Sequence, residues 1–292
     1  MKKIRLIILL LGVIILSGCS LNKDSMESIN IYTTTYPIKY LITSLYGNYS
    51  TVNSIYPSGV SSKDFELSDK KIKEYAYTDL FVFNSLDKDR DFAVKMINYN
   101  KNLKVIDVSM GMTYENNIAE LWLNPYNYLM MAQNTKTGLL EYVTNPYLIS
   151  NDEGTGIENK YNELKYNLSR LDADIKEAIS LAPYKTIVVD NNMFKYLEKY
   201  NLKVISLEED NNLNENTIAE VRKLIRNGNI KYIYSSTNET NETCKKLISD
   251  YGIELVTINT MESIDGGVTN SNEDYITIMN NNLDLFKKEL YK

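Results

Sequence analysis

The chain has 292 residues, of which 32 are Lys or Arg, 38 are Asp or Glu and none is His. A formal net charge of −6 argues against nucleic acid as a partner, because phosphate contacts need a basic face. The absence of histidine removes the commonest general base and the commonest zinc ligand, and together with the lack of a nucleophile–base pair it predicts that the protein is not an enzyme.

Residues 1–18 have the features of a signal peptide for export. Three basic residues lie within the first five positions, and the apolar run 6–15 that follows is too short to span a bilayer. Leu-Ser-Gly immediately before Cys19 suits a lipoprotein signal peptidase, although an ordinary secretory leader with a chance cysteine is the alternative. We therefore predict cleavage before Cys19, lipid on its thiol and a polar tether over 19–28, which places the chain on the extracytoplasmic face of the cell membrane.

Cleavage would make the chain more acidic and leave it with two cysteines. The leader contributes three cations and no anion, so the mature chain has 29 basic and 38 acidic residues and a net charge of −9. Once Cys19 is lipidated, Cys244 has no partner for an intrachain disulfide. Cys244 lies three, four and seven positions before apolar residues, and this helical spacing predicts a buried core cysteine.

The first half of the mature chain alternates apolar segments with amphipathic ones, which predicts an N-terminal α/β lobe over 29–155. Each apolar segment is bounded by polar or turn-forming residues, as expected for short strands. The predicted strands are 29–34, 51–56, 79–83 and 103–108, and the predicted helices are 38–46 and 69–77.

A long helix is predicted over 156–182, between the two halves of the chain. Its apolar residues recur at steps of three and four, and Pro183 ends it. These residues are Tyr161, Leu164, Leu168, Leu171, Ile175 and Ala178. A single rod of this kind would connect two lobes stiffly and limit their closure to small rotations.

The remaining residues, 183–292, predict a C-terminal α/β lobe. Four strands alternate with helices there, which indicates βα units and a parallel sheet. The predicted strands are 185–190, 202–207, 230–234 and 253–258, and the predicted helices are 193–200, 216–227, 239–251 and 272–291. The expected fold class is therefore α/β, with two α/β lobes that contain parallel sheets and are joined by a long interlobe helix.

Five short segments then follow one another in the order found in a known family. They are Thr33-Thr-Thr-Tyr-Pro37, the loop 56–66, Glu120-Leu-Trp-Leu-Asn-Pro125, Asn191-Asn-Met-Phe-Lys-Tyr196 and Thr260-Met-Glu-Ser-Ile264. Together they resemble the cluster A-I solute-binding lipoproteins of ABC importers, which capture zinc or manganese. The resemblance implies two α/β lobes with the solute bound between them.

The resemblance also assigns the residues of the interlobe cleft. Family members hold their metal with four side chains, usually histidines and carboxylates. The matching positions here are Lys63, Glu120, Asn191 and Glu262, with Asp265 as a substitute for the last. The family's metal-ligand histidines and its His-rich loop are missing, so a metal would depend chiefly on Glu120 and Glu262. A divalent metal is therefore not expected to bind tightly, and the cofactor stays unknown.

Lys63 is the residue that most strongly opposes a metal at these positions. An ammonium about 4 Å from a divalent ion costs roughly 4 kcal/mol per unit of metal charge at an effective dielectric of 20. We interpret the Lys63 ammonium as the cation that stands between Glu120 and Glu262 in place of the metal. Two alternatives stay open: a different small solute in the cleft, or a metal held by other residues nearby.

The expected function is that of an extracytoplasmic solute-binding lipoprotein of an ABC importer, working as a monomer with a permease and its ATPase. The alternative is a surface adhesin or interaction lipoprotein that uses the same scaffold without transport. Tyr36 and Trp122 could line the cleft, but we favour a place in the core for Trp122.

Overall fold

The structure, a computed structural model, describes residues 26–57, 60, 65–210, 213–262 and 274–292. The predicted leader with Cys19, and the predicted site residues Lys63 and Asp265, lie outside the described residues. No helix in the part of the chain that the structure describes is both long enough and apolar enough to cross a membrane.

The N-terminal lobe is built around a four-stranded parallel sheet in the order β2-β1-β3-β4. Its strands are β1 (Ile29–Thr33), β2 (Ser50–Ser54), β3 (Leu80–Phe83) and β4 (Lys104–Asp107). Its helices are α1 (Tyr36–Tyr46), α2 (Asp69–Tyr75), α3 (Asp89–Tyr99), α4 (Glu120–Leu123), α5 (Pro125–Tyr142) and α6 (Pro146–Ile149). In the register of the central strand, Ile31 pairs with Val52 on one side and with Leu80 on the other.

The C-terminal lobe repeats this arrangement with a parallel sheet in the order β6-β5-β7-β8. Its strands are β5 (Thr186–Val189), β6 (Lys203–Ser206), β7 (Tyr232–Ser235) and β8 (Glu254–Thr257). The helical segments are a 3₁₀ helix at Asn192–Tyr200 and the α-helices α8 (Glu215–Arg226), α9 (Glu242–Tyr251) and α10 (Tyr275–Leu290).

Helix α7 (Ile157–Leu181) joins the lobes and is one continuous helix of 25 residues, about 37 Å long. All six residues of its predicted apolar stripe are buried. Gly156 precedes the first residue of the helix, and a Cβ there would lie only 2.7 Å from the Ser150 backbone, so that no larger residue fits. Helix α7 packs against α1 and α5 of the first lobe and α10 of the second. The predicted fold class is therefore confirmed.

The hydrophobic core follows this layout. One cluster of buried apolar residues runs from the inner face of the first sheet, past α7, to the inner face of the second. The outer face of each sheet carries a smaller cluster of its own. Cys244 is fully buried in the outer cluster of the second lobe, as predicted from its spacing.

The largest difference from the predicted elements is α5, an 18-residue helix that the sequence pattern did not reveal. Polar groups interrupt its apolar side: the buried Thr135 hydroxyl donates to the Met131 carbonyl oxygen, 2.8 Å away. Gly138 also disfavours a helix, yet it is needed because a Cβ there would lie 2.8 Å from the Ile106 side chain on β4. The Asn124 side chain, which accepts from the Tyr126 amide, and Pro125 at the first turn are the signals that mark its start.

Two smaller differences concern the other helices. Helix α3 was not predicted, and its sequence begins with alternating charges. The segment predicted as helical at 193–200 is a helix of the 3₁₀ type, and it ends at Asn201 in the left-handed conformation, with φ of 64°.

Candidate functional site

Buried polar side chains collect at the carboxyl ends of the central strands. Thr34 and Thr35 follow β1, Asn84 follows β3 and Asp190 follows β5, and each is at least nine-tenths buried. In open α/β sheets, ligands bind outside the carboxyl ends of the strands, where the chain turns to opposite sides of the sheet. The strand order places this switch point beside β1 in the first lobe and beside β5 in the second.

Glu120 lies on the short helix α4, and its carboxylate is turned into its own loop. The side chain is 5% exposed. Its two oxygens accept hydrogen bonds from the amides of Glu115 and Asn116, at 3.1 and 3.2 Å, and from the Asn116 side chain, at 2.9 Å. A carboxylate offers about four acceptor positions, so the loop already uses three of them.

Asn191 is likewise occupied by its neighbours. Its side-chain oxygen accepts from the Met193 amide at 3.0 Å and begins the 3₁₀ helix, and its side-chain nitrogen donates to Asp190 at 2.6 Å. Asp190 also accepts from the hydroxyls of Ser235 and Thr240, at 2.5 and 3.2 Å. Burial raises the pKa of Asp190 above its ordinary value, and these hydrogen bonds oppose the rise.

Glu262 is half-buried and ends a segment whose backbone is tightly held. Two residues earlier, the Thr260 carbonyl oxygen accepts from the indole N–H of Trp122 at 2.8 Å. Trp122 is in turn two residues after Glu120, so this bond brings together the chain segments that carry the two glutamates. Trp122 itself is 5% exposed and belongs to the main core, as favoured from the sequence.

The segment that carries Asn191 lies beside helix α4, which carries Glu120. Helix α4 packs against the 3₁₀ helix, and Lys199 near the end of that helix donates to the Asn124 side chain at 2.6 Å and to Asp172 of α7 at 2.9 Å. Three of the four predicted cleft residues therefore lie on segments that adjoin one another. Lys63 lies outside the described residues, so its place beside them stays a prediction.

Asp89, at the first turn of α3, is a buried acid that sequence reasoning missed. It is 1% exposed, and its Oδ1 accepts from the Tyr56 hydroxyl at 2.6 Å. Within the described residues, its Oδ2 and the Thr34 hydroxyl oxygen are buried without a hydrogen-bond partner. Burial raises the pKa of Asp89 from 3.8 to about 6. The burial of Asp89 could not be recognised from the sequence, because this residue stands in a run of alternating charges.

Helix α3 also holds both ends of the loop that carries Lys63. Tyr56 at the start of the loop donates to Asp89, and the Lys88 ammonium donates to the Phe65 carbonyl oxygen at the far end, 2.7 Å away. The described stems of this loop are thus fixed to Lys88 and Asp89, two adjacent residues at the start of α3.

The donor set of the described residues does not fit a divalent metal. Across the ranges that the structure describes, no three His, Cys, Asp or Glu side chains are grouped so that they could hold an ion. The polar atoms of Glu120 and Asn191 are engaged within their own loops. Whether Glu120 and Glu262 serve as metal ligands stays a prediction.

Two parallel α/β lobes share a rod-like helix, and buried polar residues lie at the carboxyl ends of the central strands of both lobes. This arrangement is typical of two-lobed solute-binding receptors. Residues 31–289 match the family described as zinc-uptake complex component A, periplasmic (ZnuA). The chain belongs to this family, which confirms the resemblance found in the sequence. Its members are binding components of uptake systems rather than enzymes.

Relatives of the chain include two curated proteins. It is 24% identical over 316 residues to the zinc-binding lipoprotein AdcA of Streptococcus pneumoniae, covering 99% of this chain and 61% of AdcA, so the chain spans about three fifths of that relative's length. It is also 24% identical over 301 residues to the high-affinity zinc uptake system protein ZnuA of Bacillus subtilis, covering 94% of this chain and 92% of ZnuA.

Among solved structures, the Zn(II)-bound ZnuA-like domain of S. pneumoniae AdcA aligns with 91% of this chain and 100% of that domain. The TM-score is 0.71 and the sequence identity 22%. At this identity the likeness shows a common fold, and it leaves the composition of the cleft to be judged from this chain's own residues.

Proposed function

We propose that this protein is the extracytoplasmic solute-binding lipoprotein of an ABC importer and that it works as a monomer with a membrane permease and its ATPase. Membership of a zinc-uptake family, the two-lobed fold and the leader ending at Cys19 support this role. The lobes are proposed to be 29–155 and 183–292, with 156–182 as the interlobe helix.

We further propose that the cleft holds no zinc or manganese with high affinity at the four family positions. The observation that carries this proposal is the engagement of Glu120, whose carboxylate accepts three hydrogen bonds from its own loop. Hydrogen bonds to charged groups contribute roughly 1.5–3 kcal/mol each, so turning this carboxylate toward a metal would cost several kcal/mol. No such cost applies to a ligand that is free in the absence of the metal.

In place of the metal, Lys63 supplies the positive charge. Glu120 retains about one acceptor position, which suits a single ammonium hydrogen bond better than metal coordination. The proposal requires the Lys63 nitrogen to lie about 3 Å from an oxygen of Glu120 or Glu262, as a charge-assisted hydrogen bond demands.

Calorimetric titration and native mass spectrometry of protein purified without chelator test the cleft directly. The expected result is a metal-free mass and no heat of binding with micromolar zinc or manganese. A one-to-one zinc complex in the purified protein would contradict the proposal and would favour metal binding in the cleft, as in other members of the family.

The importer role is tested separately. The lipidated protein should stimulate ATP hydrolysis by its permease–ATPase complex in proteoliposomes, and Cys19→Ala should lose membrane attachment and carry no labelled palmitate. A protein that leaves the ATPase unstimulated and binds no solute would instead favour the surface adhesin or interaction lipoprotein. Palmitate on the Cys19→Ala variant would refute the proposed lipidation site.

A further inference from the structure

Trp122 makes two hydrogen bonds that cross from the first lobe to the second. Its indole N–H donates to the Thr260 carbonyl oxygen at 2.8 Å, and its own carbonyl oxygen accepts from the Tyr275 hydroxyl at 2.5 Å. Thr260 lies just before Glu262, and Tyr275 is the first residue of α10. One residue of the first lobe therefore bonds to the second lobe on both sides of the segment 262–274.

On the Thr260 side, the backbone is held in a conformation that it would not adopt alone. Met261 is buried and has a φ of 60°, which is unusual for a non-glycine residue and persists only where the surroundings enforce it. The Asn259 side chain accepts from the Met261 amide at 3.0 Å. Asn282 of α10 binds the Asn259 backbone at both its amide, 3.1 Å, and its carbonyl oxygen, 2.8 Å.

On the Tyr275 side, one aromatic side chain of the second lobe packs among residues of the first lobe. Tyr275 is fully buried, and its ring stacks on Tyr128 of α5 with ring centroids 4.1 Å apart and on Tyr40 of α1 at 5.7 Å. The Tyr128 hydroxyl is fixed by the Pro37 carbonyl oxygen at 2.6 Å. Rotation of one lobe against the other would have to break this aromatic stack as well as the hydrogen bonds of Trp122.

Glu120 is fixed relative to Trp122 by the same short helix. Its carboxylate is held by residues 115 and 116, and its carbonyl oxygen accepts from the Asn127 side chain at 3.1 Å. Glu120 therefore moves with Trp122, whereas Glu262 moves with Thr260. The hydrogen bond from the indole N–H joins these two units directly.

We propose that Trp122 is a positioning residue that sets the separation of Glu120 and Glu262 across the cleft, an inference that rests on the proposed function of these residues as cleft residues. Its N–H holds Thr260, and through the constrained Met261 it fixes the direction in which the chain presents Glu262. The size of the cation that fits between the two carboxylates depends on this separation.

The experiment uses the fact that Trp122 is the only tryptophan in the chain. Replacing every tryptophan with 3-benzothienylalanine therefore changes a single N–H to a sulfur and keeps the ring shape. Replacement with 5-fluorotryptophan, which retains the N–H, is the matched control. Tyr275→Phe removes the second bond of Trp122 by ordinary mutagenesis and tests the opposite stem.

The readout is the interlobe distance distribution from spin labels on Tyr77→Cys and Glu215→Cys, which are highly exposed sites in the two lobes. Cys244 does not interfere, because it is fully buried and burial raises the pKa of its thiol to about 12. The lipid that we propose for Cys19 would block its thiol. The full-length protein is measured in nanodiscs.

We expect the benzothienyl protein and Tyr275→Phe to give broader distributions than the parent, and the fluorotryptophan protein to match it. Unchanged distributions accompanied by a lower melting temperature would show that Trp122 only stabilises the fold and would overturn the proposal. Zinc calorimetry on the parent protein separates the two hypotheses: tight zinc binding with a broadened benzothienyl protein would refute the metal-free cleft and leave the positioning role of Trp122 intact.

Discussion

The buried carboxylate of Asp89 makes the most unusual prediction, that its removal stabilises the protein at neutral pH. Asp89→Asn keeps the shape of the side chain. The amide oxygen can still accept from the Tyr56 hydroxyl, which lies 2.6 Å from Oδ1 in the native protein. The new N–H can donate to the Thr34 hydroxyl oxygen, which has no partner within the described residues. The substitution therefore removes a buried charge and satisfies both orphaned positions.

The sign of the effect follows from the pKa. Burial raises the pKa of Asp89 from 3.8 in the unfolded chain to about 6 in the folded one, and the nearby Asp87 adds to the rise, whereas the hydrogen bond from the Tyr56 hydroxyl opposes it. The native state therefore holds the proton more tightly than the unfolded state does. The stability from this group is fully present below pH 3.8, declines as the pH rises to about 6 and stays low above it.

The magnitude is set by the same two values. A pKa difference of one corresponds to about 1.4 kcal/mol, so the ionised Asp89 lowers the free energy of unfolding at pH 7 by roughly 3 kcal/mol relative to its neutral form. We expect Asp89→Asn to recover about 1–3 kcal/mol at pH 7, because the amide must itself be desolvated. At pH 4, where the folded Asp89 is already neutral, the gain should be much smaller.

Urea unfolding followed by circular dichroism at pH 4 and pH 7 measures these differences. Asp91→Asn is the matched control, because Asp91 is exposed on the same first turn of α3 and its charge should change stability by less than about 1 kcal/mol. An Asp89→Asn variant that is less stable than the parent at pH 7 would refute the reasoning, since it would mean that the ionised carboxylate is stabilised by a bound cation.

Three further substitutions test other parts of the structure. Lys292→Met should lower the free energy of unfolding by about 3 kcal/mol in urea titrations, because it leaves the fully buried Glu289 without its cation, whereas Lys287→Met at an exposed ion pair should cost less than about 1 kcal/mol. Gly138→Ala should cost about 1–3 kcal/mol in the same assay, since its methyl group would overlap a side chain of β4. Lys63→Met should either lower the free energy of unfolding in urea titrations or create zinc or manganese binding that calorimetry detects and that the parent lacks; a variant that does neither would remove the support for the internal-cation hypothesis.

The elements whose side chains bury in a regular pattern were predictable from the sequence. Helix α7 could be predicted from the spacing of Leu164, Leu168 and Leu171, because one face of that helix is apolar along its whole length. Helix α5 was not predictable in the same way, since Thr135 and Gly138 are selected by contacts with Met131 and β4 rather than by helical propensity. Tertiary contacts of this kind outweigh local preference.

The candidate site was also predictable only in part from the sequence. The motifs around Glu120, Asn191 and Glu262 lie on segments that adjoin one another in the fold, and a shared cleft for their side chains stays a prediction. The sequence could not reveal that the side chains of Glu120 and Asn191 accept hydrogen bonds within their own loops. The donors are mostly backbone amides, which every residue type provides. Asp89 escaped notice because nothing in its neighbours distinguishes a buried acid from a solvated one.

The single apolar cluster that runs through both lobes and α7 has a consequence for how the protein loses its structure. A chain of two separately stabilised domains would melt in two steps, whereas here neither lobe can open without exposing the core that the other shares. Heating should therefore produce one cooperative transition, with the calorimetric enthalpy equal to the van't Hoff enthalpy. The outer clusters lie beyond the shared core, and their amides should exchange with solvent through smaller openings well before the whole molecule unfolds.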